Sequence, residues 1–128
     1  MTPMATLLVA HSACLDHLTP PGHPERPDRL RAVEQALEDE RFQHLIRVEA
    51  PVASFETIAL CHPMDYITAI RDASPKEAMV RLDADTSMSP GSFEAALRAA
   101  GGGMHAVDEV MSGRVANAFV AIRPPGHH

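Results

Sequence analysis

Apolar positions fall along the chain in short strand-length runs separated by longer helical stripes. Thr6–Ala10 is a continuous apolar run and reads as a first buried strand. Residues His11 to His23 are small and polar, with Pro20, Pro21 and Gly22 as a breaker, and read as loop. Pro27 suits the first position of a helix and Asp28 suits its dipole. Leu30, Val33 and Leu37 then recur at helical spacing, carrying the predicted helix to near Arg41. Leu45–Glu49 is a second strand, stopped by Pro51. Ser54 is placed to cap a short helix holding Phe55, Ile58 and Leu60. Pro63 opens another, with Tyr66, Ile67 and Ile70 as its apolar face. Ala73 to Glu77 reads as a turn and Val80 to Pro90 as mostly loop.

The longest predicted helix runs from about Ser92 to Met111. Phe93, Leu97, Ala100, Met104, Val107 and Met111 form a stripe at steps of three or four, the face expected to be buried. Gly101, Gly102 and Gly103 interrupt it, at roughly 1 kcal/mol each relative to alanine. Close packing of the helix on a strand would account for that cost. Gly113 suits the helix stop, and Asn117–Ile122 reads as a short buried strand. Short strands alternating with helices predict an α/β fold, a parallel sheet flanked by helices, in a single domain.

Composition narrows the function classes. An apolar fraction of 45% in 128 residues is enough for a real core. Net charge is −6 with scattered Lys and Arg, which argues against nucleic acid or an anionic membrane as partner and is compatible with a cationic substrate. No apolar run is long enough to cross a bilayer, no secretory leader is visible, and Cys14 and Cys61 are far apart. A cytoplasmic protein with free thiols is the expectation.

Three groups of residues invite chemistry. Eight histidines suggest a metal, and Cys14, His17, His23, Cys61 and His62 carry liganding atoms, but no CxxC or HxxxH spacing occurs. Loop histidines are the better reading, and no metal ligand is assigned; a structural metal at Cys14 and His23 is the lesser alternative. The triple glycine fails the phosphate-binding pattern and lies inside a helix, which excludes a nucleotide role. Asp83 and Asp85, on residue types alone, read as turn-forming aspartates of a solvated loop. Arg123-Pro124-Pro125-Gly126-His127-His128 is different. Two prolines lead the chain out of a strand, Gly126 permits a turn, and two imidazoles follow. In α/β sheets ligands bind beyond the carboxyl ends of strands, so this segment is suited to aim two proton-handling groups into one pocket. Adjacent imidazolium charges would repel, favouring at least one neutral ring.

Those six residues resemble the RPPGHH signature of the histone deacetylase and acetylpolyamine amidohydrolase superfamily, in its bacterial, class II-like branch. Two further stretches match in order. Residues 22–30, GHPERPDRL, resemble the first active-site loop and following helix; residues 82–86, LDADT, with 89–96, SPGSFEAA, resemble the second. The resemblance implies the arginase–deacetylase fold and zinc-dependent hydrolysis of an acetyl-amide, with acetyl-lysine, an acetylated polyamine or another small amide as substrate. It implies that His128 is the general base for zinc-bound water. It likewise gives His127 the developing oxyanion and the leaving amine. Aligning Gly91 and Phe93 makes Asp85, not Asp83, the rim carboxylate that accepts hydrogen bonds from substrate amides. The family's zinc ligands, an Asp-x-His pair and a later Asp, follow its tandem histidines, as does its transition-state tyrosine. Residues 1–128 are therefore expected to be the N-terminal portion of one deacetylase domain, with Zn2+ ligands outside the chain. Alone they are expected to be inactive, and prone to association along the open strand 118–122; homo-oligomers are possible. The alternative from another class is a catalytically silent binding or assembly module.

Overall fold

The computed structural model describes residues 5–126. Three parallel strands form the main sheet in the order β2-β1-β5. β1 (Thr6–Ala10) is central, with β2 (Ile46–Glu49) and β5 (Asn117–Ala121) on either side. A central strand of a parallel sheet is covered on both faces, and this is why Leu7, Leu8 and Val9 are all apolar and all buried. Successive side chains point to opposite faces. Leu7 and Val9 enter one core with Ala50, Ala106 and Val115, whereas Leu8 enters the other with Cys14, Leu30 and Ala121. Helix α4 (Ser92–Met111) supplies Ala106 to the first face, and α1 (Pro27–Ala36) supplies Leu30 to the second. The predicted α/β arrangement of a parallel sheet between helices is thus observed.

Four local expectations are corrected. Helix α1 stops at Ala36 rather than near Arg41, although Leu37 continues the apolar period. Asp39 turns extended, and its carboxylate accepts the Arg41 N–H at 2.9 Å, starting the separate 3-10 turn Glu40–Phe42. Cap chemistry overrides periodicity there. The stretch read as mostly loop contains a small antiparallel hairpin of β3 (Val80–Arg81) and β4 (Ser87–Met88). β5 is not fully buried: it is a sheet edge among the described residues, exposed and half-buried positions alternate along it, and Phe119 is half exposed. The fourth correction concerns α4. Its buried residues are Ser92, Ala95, Ala99, Gly101, Gly102 and Ala106, while Val107 is 60% and Met111 80% exposed. The large-residue stripe faces away from the sheet, and the small-residue stripe faces it.

Close approach explains that choice. A Cβ on Gly101 would lie 2.0 Å from the Pro51 carbonyl oxygen and 2.7 Å from the Ala53 nitrogen. One on Gly102 would meet the Ala50 Cβ at 3.0 Å and the Val9 Cγ1 at 3.2 Å. Gly102 therefore does what close helix–strand packing requires, Gly101 lets the helix approach the loop after β2, and Gly103 has open space beside it. The remaining helices frame the site. Ser54 caps α2 (Phe55–Ile58) by accepting the Thr57 N–H at 3.2 Å, as expected, but Leu60 lies beyond that helix and is largely exposed. α3 (Met64–Ala73) starts after Pro63 and buries Ile67, with Tyr66 half exposed. The edge-on packing of Phe55 against Phe93 joins α2 to α4. Among the described residues no helix is long and apolar enough to cross a membrane.

Candidate active site

A cavity of about 810 Å³ opens beyond the carboxyl ends of β1 and β5. Its walls come from the loop after β1 (His17, His23, Glu25), the hairpin (Asp85, Thr86), α3 and α4, and the segment Pro124–Gly126. Most of the lining is apolar, with Ile67, Met88, Phe93 and Ile122 among it, and a few polar groups converge on it. That combination is the usual character of a small-molecule site. Its location is where the sheet topology places ligands.

The residue that builds this corner is Arg123, only 1% exposed. Its Nε and Nη2 donate to the two carboxylate oxygens of Glu25 at 2.7 and 2.6 Å, a bidentate pair. Its Nη1 donates to the carbonyl oxygens of Cys14 and His17 at 2.8 and 2.7 Å. The end of β5 is thereby tied to the loop after β1, 98 residues away in sequence at Glu25. Burial by itself pushes the Glu25 carboxyl up, yet the hydrogen bonds and charge of Arg123, helped by Arg29, hold it below its ordinary range. Burial also pushes the Cys14 thiol up, so this cysteine is an uncharged part of the core beneath the site.

His17 is buried and its Nδ1 lies 2.6 Å from the Ser92 hydroxyl oxygen. The Ser89 hydroxyl donates to the Asp16 carbonyl at 3.0 Å, and the Ser92 hydroxyl oxygen accepts the Ser89 N–H at 2.7 Å, so both serines are held in place around the His17 ring. Burial, and after it the nearby charge of Arg123, lower the pKa of His17 and keep that ring neutral. His23 is fixed differently. Its Nδ1 accepts the Glu25 N–H at 3.0 Å, so Nε2 carries the proton and donates to Asp85 at 3.2 Å.

The two aspartates of the hairpin have different surroundings. Asp83 accepts the Asp85 N–H at 2.8 Å, an Asx turn that shapes the loop. Asp85 lines the cavity and bonds across it to His23. At the other wall, Gly126 adopts φ +80°, a conformation that favours glycine, and the Arg123–Pro124 peptide is cis. His127 and His128 lie outside the described residues; Pro124, Pro125 and Gly126, which lead to them, line the cavity. Among the described residues no three His, Cys, Asp or Glu side chains are grouped to hold a metal. Cys14 and His23 in particular are separately engaged, the first in the core and the second with Asp85.

Reading the sequence singled out Asp85 and the tandem histidines but gave no role to Arg123, Glu25, His17, Ser89 or Ser92. The available signal was an arginine lodged between an apolar strand and two prolines, a position from which its charge has to find a buried partner.

Comparison with known proteins places these features. The model of the histone deacetylase domain matches residues 23–128. The chain is 36% identical over 128 residues to a probable deacetylase of Archaeoglobus fulgidus, covering 98% of this chain and 35% of that protein. It is 36% identical over 110 residues to the human polyamine deacetylase HDAC10 (81% of this chain, 16% of that protein). It is 34% identical over 111 residues to a histone deacetylase-like amidohydrolase of Pseudomonas aeruginosa (84% and 28%). Among solved structures, that of the HDA15 HD domain superposes with a TM-score of 0.87 at 28% identity, over 97% of this chain and 36% of that one. The chain thus spans 36% or less of the length of each of these proteins.

Proposed function

Because the chain belongs to the histone deacetylase family, whose domain matches residues 23–128, we propose that it forms one wall of a zinc-dependent deacetylase site acting on an acetyl-amide. The substrate class is an acetylated lysine, an acetylated polyamine or a similar small amide, the class to which the names of its relatives point. One observation carries this reading: Pro124–Gly126, leading directly into His127 and His128, line a cavity at the carboxyl end of the sheet with Asp85 on its rim. In this reading His128 removes the proton from the attacking water, and His127 stabilises the developing oxyanion and assists the leaving amine. Imidazole suits both tasks because its unperturbed pKa of about 6.5 lies near neutrality. Asp85 holds substrate amide groups at the mouth. Zinc, when bound, would acidify the water that attacks the acetyl carbonyl. The described residues do not supply a ligand set for it, so the work of this stretch is proton handling and substrate holding.

Acetate release from an acetyl-lysine peptide and from an acetylated polyamine tests the proposal. Residues 1–128 alone are expected to release none. In a polypeptide that carries these residues together with a zinc ligand set, His128→Ala should lower kcat by about 100-fold or more while zinc content stays near that of the parent. Asp85→Ala should weaken substrate binding by roughly 1.5–3 kcal/mol, and Asp83→Ala by much less. Zinc loss from the His128 variant, or equal effects of the two aspartates, would show the roles to be wrongly assigned. Zinc-dependent turnover by residues 1–128 alone would do the same.

A further inference from the structure

We infer that Arg123 is a positioning residue, whose guanidinium locks the two facing walls of the cavity into one relative geometry. One wall is the loop carrying His17 and Glu25; the other is Pro124–Gly126. Arg123 is also the last residue before the turn that leads to His127 and His128. Its importance for those histidines rests on the reading of the previous section; its hold on the walls does not.

The geometry argues for positioning over a general need for charge. A bare charge balance would need only one contact to Glu25. Arg123 instead makes four bonds in three directions: two to Glu25, one to the Cys14 carbonyl and one to the His17 carbonyl. The acceptors sit on two separate turns of the loop, and the planar fork fixes their mutual angle as well as their distance. The His17 carbonyl belongs to the residue whose ring is held by Ser92, so the same bond that anchors the loop sets the ring that lines the cavity. On the strand side Arg123 is followed directly by two prolines, whose fixed φ limits how far Pro124 and Pro125 can move relative to an anchored Arg123.

Two variants keep every charge and change only the reach: Arg123→Lys, a point charge with no fork, and Glu25→Asp, one methylene shorter. The experiment uses residues 1–128 with nitrogen-labelled histidines, read by imidazole signals and amide hydrogen exchange. A lost charge-assisted bond should speed exchange of the amides of residues 14–25 by about 10- to 100-fold. The imidazole signals of His17, His127 and His128 should move, while those of His44 and His105 stay and the melt remains cooperative. If lysine restores the parent signals, charge alone suffices and the inference fails. It also fails if all histidines shift alike, which marks general loosening, or if the His17 signal and the amides of residues 14–25 do not respond. Should Arg123→Lys not fold, Glu25→Asp carries the same test. Absence of acetate release from a polypeptide that carries these residues together with a zinc ligand set would sink the deacetylase reading and leave these signals untouched, so the two failures are separable.

Discussion

Where α4 crosses the sheet, contact depends on atoms that are missing: Gly101 and Gly102 let helix backbone come against Pro51, Ala53 and Val9. Where β5 meets the loop after β1, contact depends on one large charged side chain that reaches four acceptor atoms. The first interface carries two directed bonds, Ala53 N–H to the Leu97 carbonyl and Arg98 to the Ala50 carbonyl, but what sets its spacing is volume. A buried pair such as Arg123 and Glu25 adds little net stability over a well-packed apolar pair, but it fixes distance and angle. The difference matches the location of the cavity, whose walls meet at the polar junction. Close packing builds the frame, and directed hydrogen bonds set the site.

The sharpest way to break this contrast is to remove one partner of the ion pair. Glu25→Ala leaves the Arg123 charge buried and should cost about 3–5 kcal/mol, read as a lower urea midpoint. Adding Arg123→Met to Glu25→Ala should recover a good part of that loss, because no charge is then left unpaired. Additive losses in the double variant would mean that the junction is held by packing, like the other interface.

The α4 contact offers a smaller effect and a control three residues long. Gly101→Ala gains helix propensity, but its methyl would press on peptide backbone that cannot rotate away. A net loss of about 1–3 kcal/mol is expected. Gly103→Ala has open space and should gain up to about 1 kcal/mol. Thermal melts of both variants check this; equal and favourable shifts would remove the close-approach account.

The smallest effects, and the ones that separate the interfaces by chemistry, are in the pH dependence. Folded His17 has a lowered pKa, from burial first and the charge of Arg123 second. The unfolded chain accepts a proton near the ordinary 6.5 that the folded site refuses, so stability falls as pH drops from there to the folded value. Glu25 has a lowered carboxyl pKa, because Arg123 outweighs the opposing effect of burial. Its contribution is complete above the ordinary 4.5 and is lost as pH falls through the folded value. Two successive declines in melting temperature are expected on acidification. His17→Gln should remove the earlier one only, and Gly103→Ala should raise the whole curve in parallel. A change of shape in the glycine variant would couple the interfaces that we have treated as distinct.

Legibility in the sequence followed the same division. β1 and α4 were readable because a continuous run and a long period repeat their signal at every turn. The face of α4 was misread because periodicity weighs residues by hydrophobicity, whereas closeness to the sheet was set by size: Ala95, Ala99, Gly102 and Ala106 face inward while Val107 and Met111 do not. The two-residue strands of the hairpin carry too few positions for any period to register. At the site, the motif around Arg123 and the one around Glu25 were both recognisable as words. Their bond was not, because a single sequence holds no trace of which residue meets another 98 positions away. Asp85 could be told from Asp83 only through the resemblance.

The central position of β1 also sets an order of assembly. One of its neighbours, β2, arrives within the first half of the chain, but the other, β5, is joined to it in a register whose first side-chain bond, Thr6 to Asn117, closes a loop of 111 residues. Parallel strands paired over such a separation form late, because the entropy of closing the loop is lost before any contact is gained. During synthesis β1 therefore waits with one edge and one face bare while α1, α2, α3 and α4 are made. The cavity wall at Pro124–Gly126 comes into being only when β5 docks and the guanidinium of Arg123, just beyond it, finds the loop made about a hundred residues earlier.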